Sequence, residues 1–275
     1  MTLNYISGAE AVIKALVDNE VEVIFGYPGG AVLPLYDALF ENKKIKHILV
    51  RHEQAAVHAA EGYARSTGKV GCVLVTSGPG ATNAITGLTD ALMDSIPIIC
   101  LSGQVPTHLI GTDAFQEADT TGISRPCTKH NYLVKDADKL CEIIHKSFEI
   151  ASSGRPGPVL IDLPKDIQLS NVKYVNKISK IKKYNNNSSN IDENLINKVA
   201  SLLLQAERPI IYGGGGIVNS GPTASKLLTE LVDILDCPVT LTLMGLGCVP
   251  NTNKNFLGML GMHGTYEANL AMHNC

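Results

Sequence analysis

The chain has 275 residues, enough for one large domain or two of ordinary size. Hydrophobic residues make up 45% and charged residues only 18%, which excludes a disordered chain and indicates a globular protein with a sizeable core. The formal net charge is −3 and the 23 basic residues are not gathered into a stripe, so the charge pattern gives no support to nucleic-acid binding.

Short apolar runs alternate with helical patterns over residues 1–170. The runs are rich in β-branched residues and are bounded by Gly, Pro or Ser. They are apolar on both faces, as expected of strands in a parallel sheet covered by helices. They are EVIFGY, HILV, GCVLVTS, IPIICLSG and PVLIDLP. Helical periodicity covers residues 9–18, 33–40, 55–66, 83–94 and 137–152. This alternation predicts a doubly wound α/β domain with a parallel sheet.

Residues 171–192 break the rhythm with five lysines and a run of Asn and Ser. They predict a solvated linker, with an excursion over the first domain as the alternative. A second α/β pattern follows in residues 193–275. Its segments are helical residues 193–205, PIIYGGGG, helical residues 225–235, PVTLTL and FLGMLGMHG. Two or three strands would leave a doubly wound core half covered, so we expect an incomplete second domain of Rossmann type.

The cysteines and the lengths of the apolar runs indicate the cellular compartment of the protein. Seven cysteines occur without a CxxC pair, which predicts free and mostly buried thiols in a reducing environment. No apolar run approaches the ~18 residues that cross a bilayer. The start, MTLNYISGAEAVIKAL, has no signal-peptide pattern. We therefore expect a cytoplasmic protein, or an organellar one in view of the frequent Asn, Lys and Ile.

A carboxyl group stands at one predicted strand end. In HILVRHEQAAVHAAEGYARSTG, Glu53 lies where a strand passes into a helix, the position at which open parallel sheets bind ligands. It faces the positive end of the helix dipole among small neighbours. The alternative is that Glu53 caps its helix or pairs with Arg51. His52 and His58 are interpreted as structural.

Two glycine turns follow other predicted strands. Residues 77–80 in VLVTSGPGATNAITGL let a ligand approach the backbone, and Thr82 or Asn83 can cap the next helix. Gly29 and Gly30 close a turn in FGYPGGAVLPLYD. Each turn alone is explained as simply by tight chain reversal. Together with Glu53 they should gather along one edge of one sheet.

Several long motifs carry a family resemblance. FGYPGGAVLPLYD, RHEQAAVHAAEGYARSTG, VLVTSGPGATNAITGL, DSIPIICLSGQVP, GTDAFQEAD, ISRPCTKH and GRPGPVLIDLPKD occur in this order. The set resembles the amino-terminal part of acetolactate (acetohydroxyacid) synthase large subunits, which belong to the thiamine-diphosphate-dependent family. The resemblance covers essentially the whole chain in register. It implies a pyrimidine-binding domain in residues 1–170 and a central FAD-binding-type domain in residues 193–275.

The resemblance also implies residue roles. Glu53 would hydrogen-bond N1′ of the thiamine diphosphate aminopyrimidine and so promote loss of the thiazolium C2 proton. The backbone of Gly30 would approach the reaction centre. Phe115 and Gln116 would line the substrate channel, and Lys165 would attract the anionic substrate at its mouth unless it is a solvated loop charge. The residues implied to touch an FAD without net redox role are Arg155, Gly213, Gly214, Gly215, Thr242, Leu243, Met244, Met262, His263 and Gly264.

The implied reaction is decarboxylation of pyruvate and condensation with a second 2-oxo acid, pyruvate or 2-oxobutyrate, in valine, leucine and isoleucine biosynthesis. The alternatives are another FAD-containing member such as pyruvate oxidase, or a non-catalytic nucleotide-binding chain. Glyoxylate carboligase lacks the activating carboxyl group, so Glu53 argues against it.

Family members are considerably longer than this chain, and their active site lies between two subunits of a dimer or larger assembly, in some cases with a regulatory small subunit. Their third domain binds the diphosphate and Mg²⁺ through a GDG…N motif, and no GDG occurs here. No metal ligand is therefore assigned. We expect the chain to be a fragment, a truncated gene product or one piece of a split enzyme that supplies the Glu53 side of the site.

Overall fold

The computed structural model describes residues 5–174 and 192–275. The chain divides into two compact units, Met1–Asn187 and Ser188–Cys275. Of the predicted linker, residues 175–191 lie outside the described residues, whereas Asn171–Lys173 form a strand that pairs antiparallel with Tyr5–Ser7. The first unit therefore includes at least these three residues of the predicted linker.

The first unit alternates strands and helices along the chain. Its elements are β1 (Tyr5–Ser7), α1 (Gly8–Asp18), β2 (Val23–Gly26), α2 (Leu33–Glu41), β3 (Lys46–Leu49), α3 (Glu53–Thr67), β4 (Gly71–Val75), α4 (Pro79–Met93), β5 (Ile98–Gln104), α5 (Thr120–Ser124), β6 (His130–Leu133), α6 (Leu140–Ser152), β7 (Val159–Pro164), α7 (Lys165–Leu169) and β8 (Asn171–Lys173).

Six of these strands form one sheet in the order β3-β2-β4-β5-β7-β6, and every neighbouring pair is parallel. The predicted doubly wound parallel sheet is confirmed. From β2 the chain proceeds to β3 on one side and then to β4 on the other. Strand order therefore reverses between β2 and β4, and the carboxyl ends of these two strands flank the crevice where such sheets bind ligands.

Helices cover both faces of the sheet because alternate side chains of each strand point to opposite sides. In β4, Leu74 packs in a cluster with residues of α1, α2 and α6. Its neighbours Val73 and Val75 pack in a second cluster with Ala56 and Ala60 of α3 and with residues of α4. Burial on both faces explains why the central strands read as continuous apolar runs in the sequence.

The second unit is a smaller α/β unit. Its elements are α8 (Glu193–Gln205), β9 (Ile211–Gly213), α9 (Gly215–Asn219), α10 (Pro222–Leu235), β10 (Val239–Leu241), β11 (Phe256–Met259) and α11 (Tyr266–Asn274). The three strands are parallel in the order β11-β10-β9. A cluster of five buried residues forms the core, and α8 contains no buried residue. The three strands agree with the predicted small second α/β domain.

All seven cysteines are reduced thiols, as predicted, and five of them are buried. No helix within residues 5–174 or 192–275 is both long enough and apolar enough to span a membrane.

Candidate functional site at the carboxyl edge of the parallel sheet

The sheet order brings three predicted segments to one edge. The turn with Gly29 and Gly30 follows β2, Glu53 follows β3, and residues 76–80 follow β4. These strands are adjacent in the order β3-β2-β4 and run parallel, so the segments leave the same edge side by side. They surround the crevice at the point where strand order reverses.

Glu53 is the first residue of α3 and only 8% exposed. Its Oε2 accepts a hydrogen bond from the Asn83 Nδ2 amide at 3.0 Å. Among the described residues, Glu53 neither caps its own helix nor pairs with Arg51, the two alternatives to a ligand-binding role. His52 is the cap, its Nδ1 accepting from the Gln54 N–H at 3.2 Å, and none of the ion pairs within residues 5–174 and 192–275 involves Glu53. The Glu53 carboxyl group therefore lies at the N-terminus of α3 and accepts the Asn83 amide, while the cap of the helix is provided by His52.

A half-buried phenol, that of Tyr36, lies near this carboxyl group. The Tyr36 hydroxyl of α2 lies 3.2 Å from His47 Nε2 of β3. Burial raises the pKa of Tyr36, and the negative charge of Glu53 raises it further, so the phenol stays neutral. Burial also lowers the pKa of His47 and favours the uncharged imidazole. This pair was not predicted from the sequence, since an aromatic residue at helical spacing in LPLYDALF is typical of ordinary core.

Thr76 explains why glycine occurs in both turns. Its Oγ1 accepts a hydrogen bond from the Ala31 N–H at 3.3 Å. A Cβ atom on Gly29 would lie 2.5 Å from the Thr76 Cβ, and one on Gly80 would lie 2.8 Å from its Cγ2. Gly30 differs, because a Cβ there would meet no described atom within 4 Å. Glycine is therefore required by packing at positions 29 and 80, and position 30 faces open space.

The helix after β4 begins earlier than the sequence predicts. It starts at Pro79, with Gly78 as its cap and no side-chain cap. The expectation that Thr82 or Asn83 caps this helix is wrong, because both lie inside it. The proline at the first helical position supplies the helical φ angle without needing a backbone donor. The Asn83 amide is therefore available for Glu53.

The loop with Phe115 and Gln116 rests on the turn after β4. Gly78 has φ of +56°, and a Cβ there would lie 2.5 Å from the Gln116 carbonyl oxygen. Phe115 is 88% exposed and Gln116 is also exposed. Within the loop, the Glu117 carboxylate accepts hydrogen bonds from the Gly111 and Ala114 N–H groups, which lower the pKa of Glu117.

Gly78→Ala is expected to displace this loop while the sheet remains intact. The methyl group would collide with the Gln116 backbone, and a left-handed φ adds strain of roughly 1 kcal/mol in an L-residue. Hydrogen exchange should accelerate at residues 111–118 and stay unchanged in β4 and β5. Gly111→Ala, at a positive-φ glycine with open space around it, separates backbone strain from the collision. Equal protection of residues 111–118 in wild type and Gly78→Ala would contradict the expectation.

Two buried polar side chains, Gln104 and Asp162, anchor the same loop through hydrogen bonds. Gln104 Nε2 donates to the Ala118 carbonyl at 3.0 Å and to Asp162 Oδ2 at 2.9 Å. Asp162 lies in β7 and is 1% exposed. Burial raises its pKa to about 7, although the hydrogen bond from Gln104 acts in the opposite direction. Neither residue was predicted from the sequence to have a functional role, because IPIICLSGQ and PVLIDLP are typical of ordinary strands.

Lys165 lies farther along the same edge, as the first residue of α7 directly after β7. It is half-buried. Gln168 of the same helix donates through Nε2 to the Ala31 carbonyl and to the Leu163 carbonyl, each at 2.8 Å. The helix that begins at Lys165 is thus tied to the turn that contains Gly30.

Arg155 has a local role in the first unit. Its Nε donates to Ser95 Oγ at 2.7 Å, and one terminal nitrogen donates to the Met93 carbonyl at 2.8 Å. The guanidinium therefore caps the carbonyl end of α4, where a positive charge also suits the helix dipole. Its assignment to the flavin stays a prediction.

The other residues assigned to the flavin lie in the second unit, after the three strands. Residues 213–215 end β9 and begin α9, residues 242–244 follow β10, and residues 262–264 lie between β11 and α11. Because the strands are parallel, the three segments share the carboxyl edge of this sheet. The Thr242 N–H donates to the Gly213 carbonyl at 2.9 Å, and Gly215 packs against Met244.

Side chains within these segments differ in exposure. Thr242 Oγ1 accepts from the Gly245 N–H at 3.0 Å and caps a short 3₁₀ helix, Leu243–Gly245. Leu243 and Met262 are exposed, Met262 to 91%, and so is His263. Gly264 is packed so closely on the Met259 and Leu260 backbone that a Cβ has no room.

His58 has partners on the outer surface of α3 and α4. Its Nδ1 lies 2.7 Å from Glu61 Oε2 and 3.8 Å from Asp90 Oδ2. Burial raises the pKa of Glu61. These three side chains are the one group in the described part of the chain with metal-ligand spacing. The hydrogen bond between His58 and Glu61 and the attraction of His58 to Asp90 account for the arrangement.

Comparisons with known proteins give two family matches. Residues 6–123 match the N-terminal TPP binding domain of thiamine pyrophosphate enzymes, and residues 196–275 match the central domain of the same enzymes.

Individual relatives match nearly the whole chain. The acetolactate synthase large subunit of Buchnera aphidicola subsp. Acyrthosiphon pisum is 54% identical over 276 residues, covering 99% of this chain and 48% of that protein. That of Haemophilus influenzae is 55% identical over 271 residues, covering 98% and 47%. A probable acetolactate synthase large subunit of Methanocaldococcus jannaschii is 50% identical over 272 residues, covering 98% and 45%. The chain spans about half the length of the curated relatives it matches.

Proposed function

The chain belongs to the thiamine pyrophosphate enzymes, and from this membership we propose that it supplies the cofactor-activating side of an acetolactate synthase active site. The observation that carries the proposal is the buried Glu53 carboxylate at the crevice between β2 and β4, with Oε2 hydrogen-bonded by Asn83. The names of the relatives favour acetolactate synthase over pyruvate oxidase.

The residues around Glu53 fit an aminopyrimidine. Within residues 5–174 and 192–275, Oε1 accepts no hydrogen bond, so it is available to a ring nitrogen. Gly80 lies beside it, since a Cβ there would be 3.5 Å from Oε1. Bound thiamine diphosphate supplies the carbanion chemistry that decarboxylation of a 2-oxo acid requires. Oε1 of Glu53 would exchange a proton with N1′ of the pyrimidine. The nearby Tyr36 phenol, whose pKa is raised by burial, brings no charge to the site.

The substrates proposed are pyruvate and a second 2-oxo acid, pyruvate or 2-oxobutyrate, which makes this a step of branched-chain amino-acid synthesis. The loop with Phe115 and Gln116 borders the crevice through its contact with Gly78 and would line the channel. Lys165 would attract the substrate carboxylate. Gly30, with open space at its Cβ position, allows close approach of the backbone to the reacting atoms.

The second unit would bind FAD at the carboxyl edge of its sheet, through residues 213–215, 242–244 and 262–264. The three glycines at 213–215 have no side chain to keep a diphosphate away from the backbone. In this role FAD performs no net redox chemistry. No residue of this chain is proposed as a Mg²⁺ ligand. We infer further that the site is completed by another subunit, that a regulatory small subunit binds, and that the protein is cytoplasmic, as its free thiols favour.

The domain assignment follows from the same proposal. Residues 1–170 and the strand Asn171–Lys173, which pairs with Tyr5–Ser7, would form the pyrimidine-binding domain. The rest of residues 171–192 would form the linker, and residues 193–275 the FAD-binding-type domain.

The test is a product assay on the native assembly that contains this chain. We expect acetolactate from pyruvate, and acetohydroxybutyrate when 2-oxobutyrate is added, both dependent on thiamine diphosphate. Acetyl phosphate as the phosphate-dependent product would instead identify a pyruvate oxidase. A lack of cofactor-dependent turnover of pyruvate in that assembly would overturn the proposal.

A further inference from the structure

The side chain of Asn83 is directed at Glu53 and at no other described group. Asn83 lies one turn into α4, after the cap at Gly78 and the first residue Pro79. Its Nδ2 donates to Glu53 Oε2 at 3.0 Å, across 30 residues of sequence, and this is its one side-chain hydrogen bond within residues 5–174 and 192–275. The residue is exposed, so packing does not explain its presence.

This hydrogen bond makes the two carboxylate oxygens of Glu53 unequal. Oε2 is occupied as the acceptor of an amide donor, which disfavours a proton on that oxygen. Oε1 is the oxygen beside Gly80 and has no donor among the described residues. A proton exchanged with a ligand therefore resides on Oε1. The same bond restrains rotation of the carboxyl group about its terminal torsion, which is otherwise broad.

We propose that Asn83 is a positioning residue, which reserves Oε2 as an acceptor and thereby directs the acid–base chemistry of Glu53 to Oε1. This inference rests on the proposed function, because it assigns a second residue to the same site. It extends that function by stating which oxygen exchanges the proton and which residue determines the choice.

The inference predicts effects that a structural role would not produce. Alanine is the better helix former, and position 83 is exposed, so Asn83→Ala should leave the fold and its Tm unchanged or slightly raised. A hydrogen bond to a carboxylate is stronger than one between neutral groups. Its loss in Asn83→Ala should therefore lower kcat/KM by roughly 10- to 100-fold. The acid limb of the pH–rate profile should move upward by about one pH unit, because the carboxylate form has lost its donor. Asn83→Asp, which replaces the donor by a second negative charge, should move it further in the same direction.

The experiment compares Asn83→Ala, Asn83→Asp and Thr86→Ala in the native assembly that contains this chain. Thr86 is an exposed residue of the same helix, three positions away, and provides the matched control. Calorimetry of thiamine diphosphate binding gives a readout independent of turnover. We expect the Kd to rise by about tenfold in Asn83→Ala, since the acceptor is no longer pre-oriented, and to be unchanged in Thr86→Ala.

The Glu53→Gln variant distinguishes failure of the proposed function from failure of the role assigned to Asn83. If Glu53→Gln is inactive while Asn83→Ala keeps the wild-type pH profile and Kd, the role of Asn83 is refuted and the proposed function stands. If Glu53→Gln retains wild-type activity, the proposed function is refuted and the role of Asn83 with it. A shifted acid limb and a weaker Kd in Asn83→Ala, with Thr86→Ala unchanged, support the inference.

Discussion

Glu53→Gln is expected to lower kcat by about 10²- to 10⁴-fold, the range that loss of a general acid–base group produces. Glutamine keeps the size of the side chain and can still accept the hydrogen bond from Asn83 Nδ2 through its carbonyl oxygen. Its amide would then face the ligand as a donor that cannot give up or take a proton. The loss is thus specific to proton exchange, while shape and position are retained.

Stability should change little in the same variant. Removing a negative charge from the first turn of α3 costs about 0.3–1 kcal/mol of interaction with the helix dipole. Initial rates with saturating thiamine diphosphate, together with Tm, measure the two effects separately. Glu142→Gln is the control for the helix-dipole effect, because Glu142 is likewise a carboxylate in the first turn of a helix, α6, but is exposed whereas Glu53 is buried. A Glu53→Gln protein with wild-type kcat would disprove the assigned role.

Asp162→Asn is expected to stabilise the first unit above neutral pH, by an amount on the order of 2–4 kcal/mol. Burial raises the pKa of Asp162 from 3.8 to about 7 in the folded protein. Between these two values the folded state holds a proton that the unfolded state has released. The free energy of unfolding therefore falls as pH rises through this window, and the asparagine variant lacks this loss.

The measurement is the Tm of wild type and Asp162→Asn from about pH 4 to about pH 8, across the window set by the two pKa values. The two proteins should differ most at the alkaline end and converge toward the acidic end. For Asp166→Asn we expect the opposite pH dependence of the Tm difference from wild type. Burial acts to raise the pKa of Asp166, but hydrogen bonds from Thr107 outweigh it and hold that pKa below its ordinary value. Parallel Tm curves for wild type and Asp162→Asn would rule out the buried proton.

Asp162 also connects stability with the loop of residues 111–118. Its Oδ2 accepts from Gln104, which in turn holds the Ala118 carbonyl. A change in the charge of Asp162 therefore acts on the same hydrogen bonds that anchor the loop with Phe115 and Gln116. We expect hydrogen exchange at residues 111–118 to respond to Asp162→Asn as well.

The architecture was predictable wherever burial leaves a local pattern. Strands buried on both faces read as apolar runs, so β4, β5 and β7 were found from the sequence. The less buried β2 and the edge strand β3 were found from shorter apolar runs, and the helical periods located α1, α2, α3, α4 and α6. β6 (His130–Leu133) was missed, because it is a four-residue edge strand with polar residues. The start of α4 was misplaced because Pro79 and Gly78, which also suit a turn, begin the helix here.

The doubly wound sheet, the reduced thiols and the position of Glu53 at a strand end can be read from the sequence alone, because each depends on neighbours in the chain. Which oxygen of Glu53 lacks a donor among the described residues depends on the fold, since its partner Asn83 is 30 residues away. The same holds for the Tyr36–His47 pair, and for the support of the loop of residues 111–118 by Gln104 and Asp162, which are 58 residues apart. Hydrogen bonds between distant residues have no period in the sequence, and burial, which moves the pKa of Asp162, arises only when helices close over both faces of the sheet.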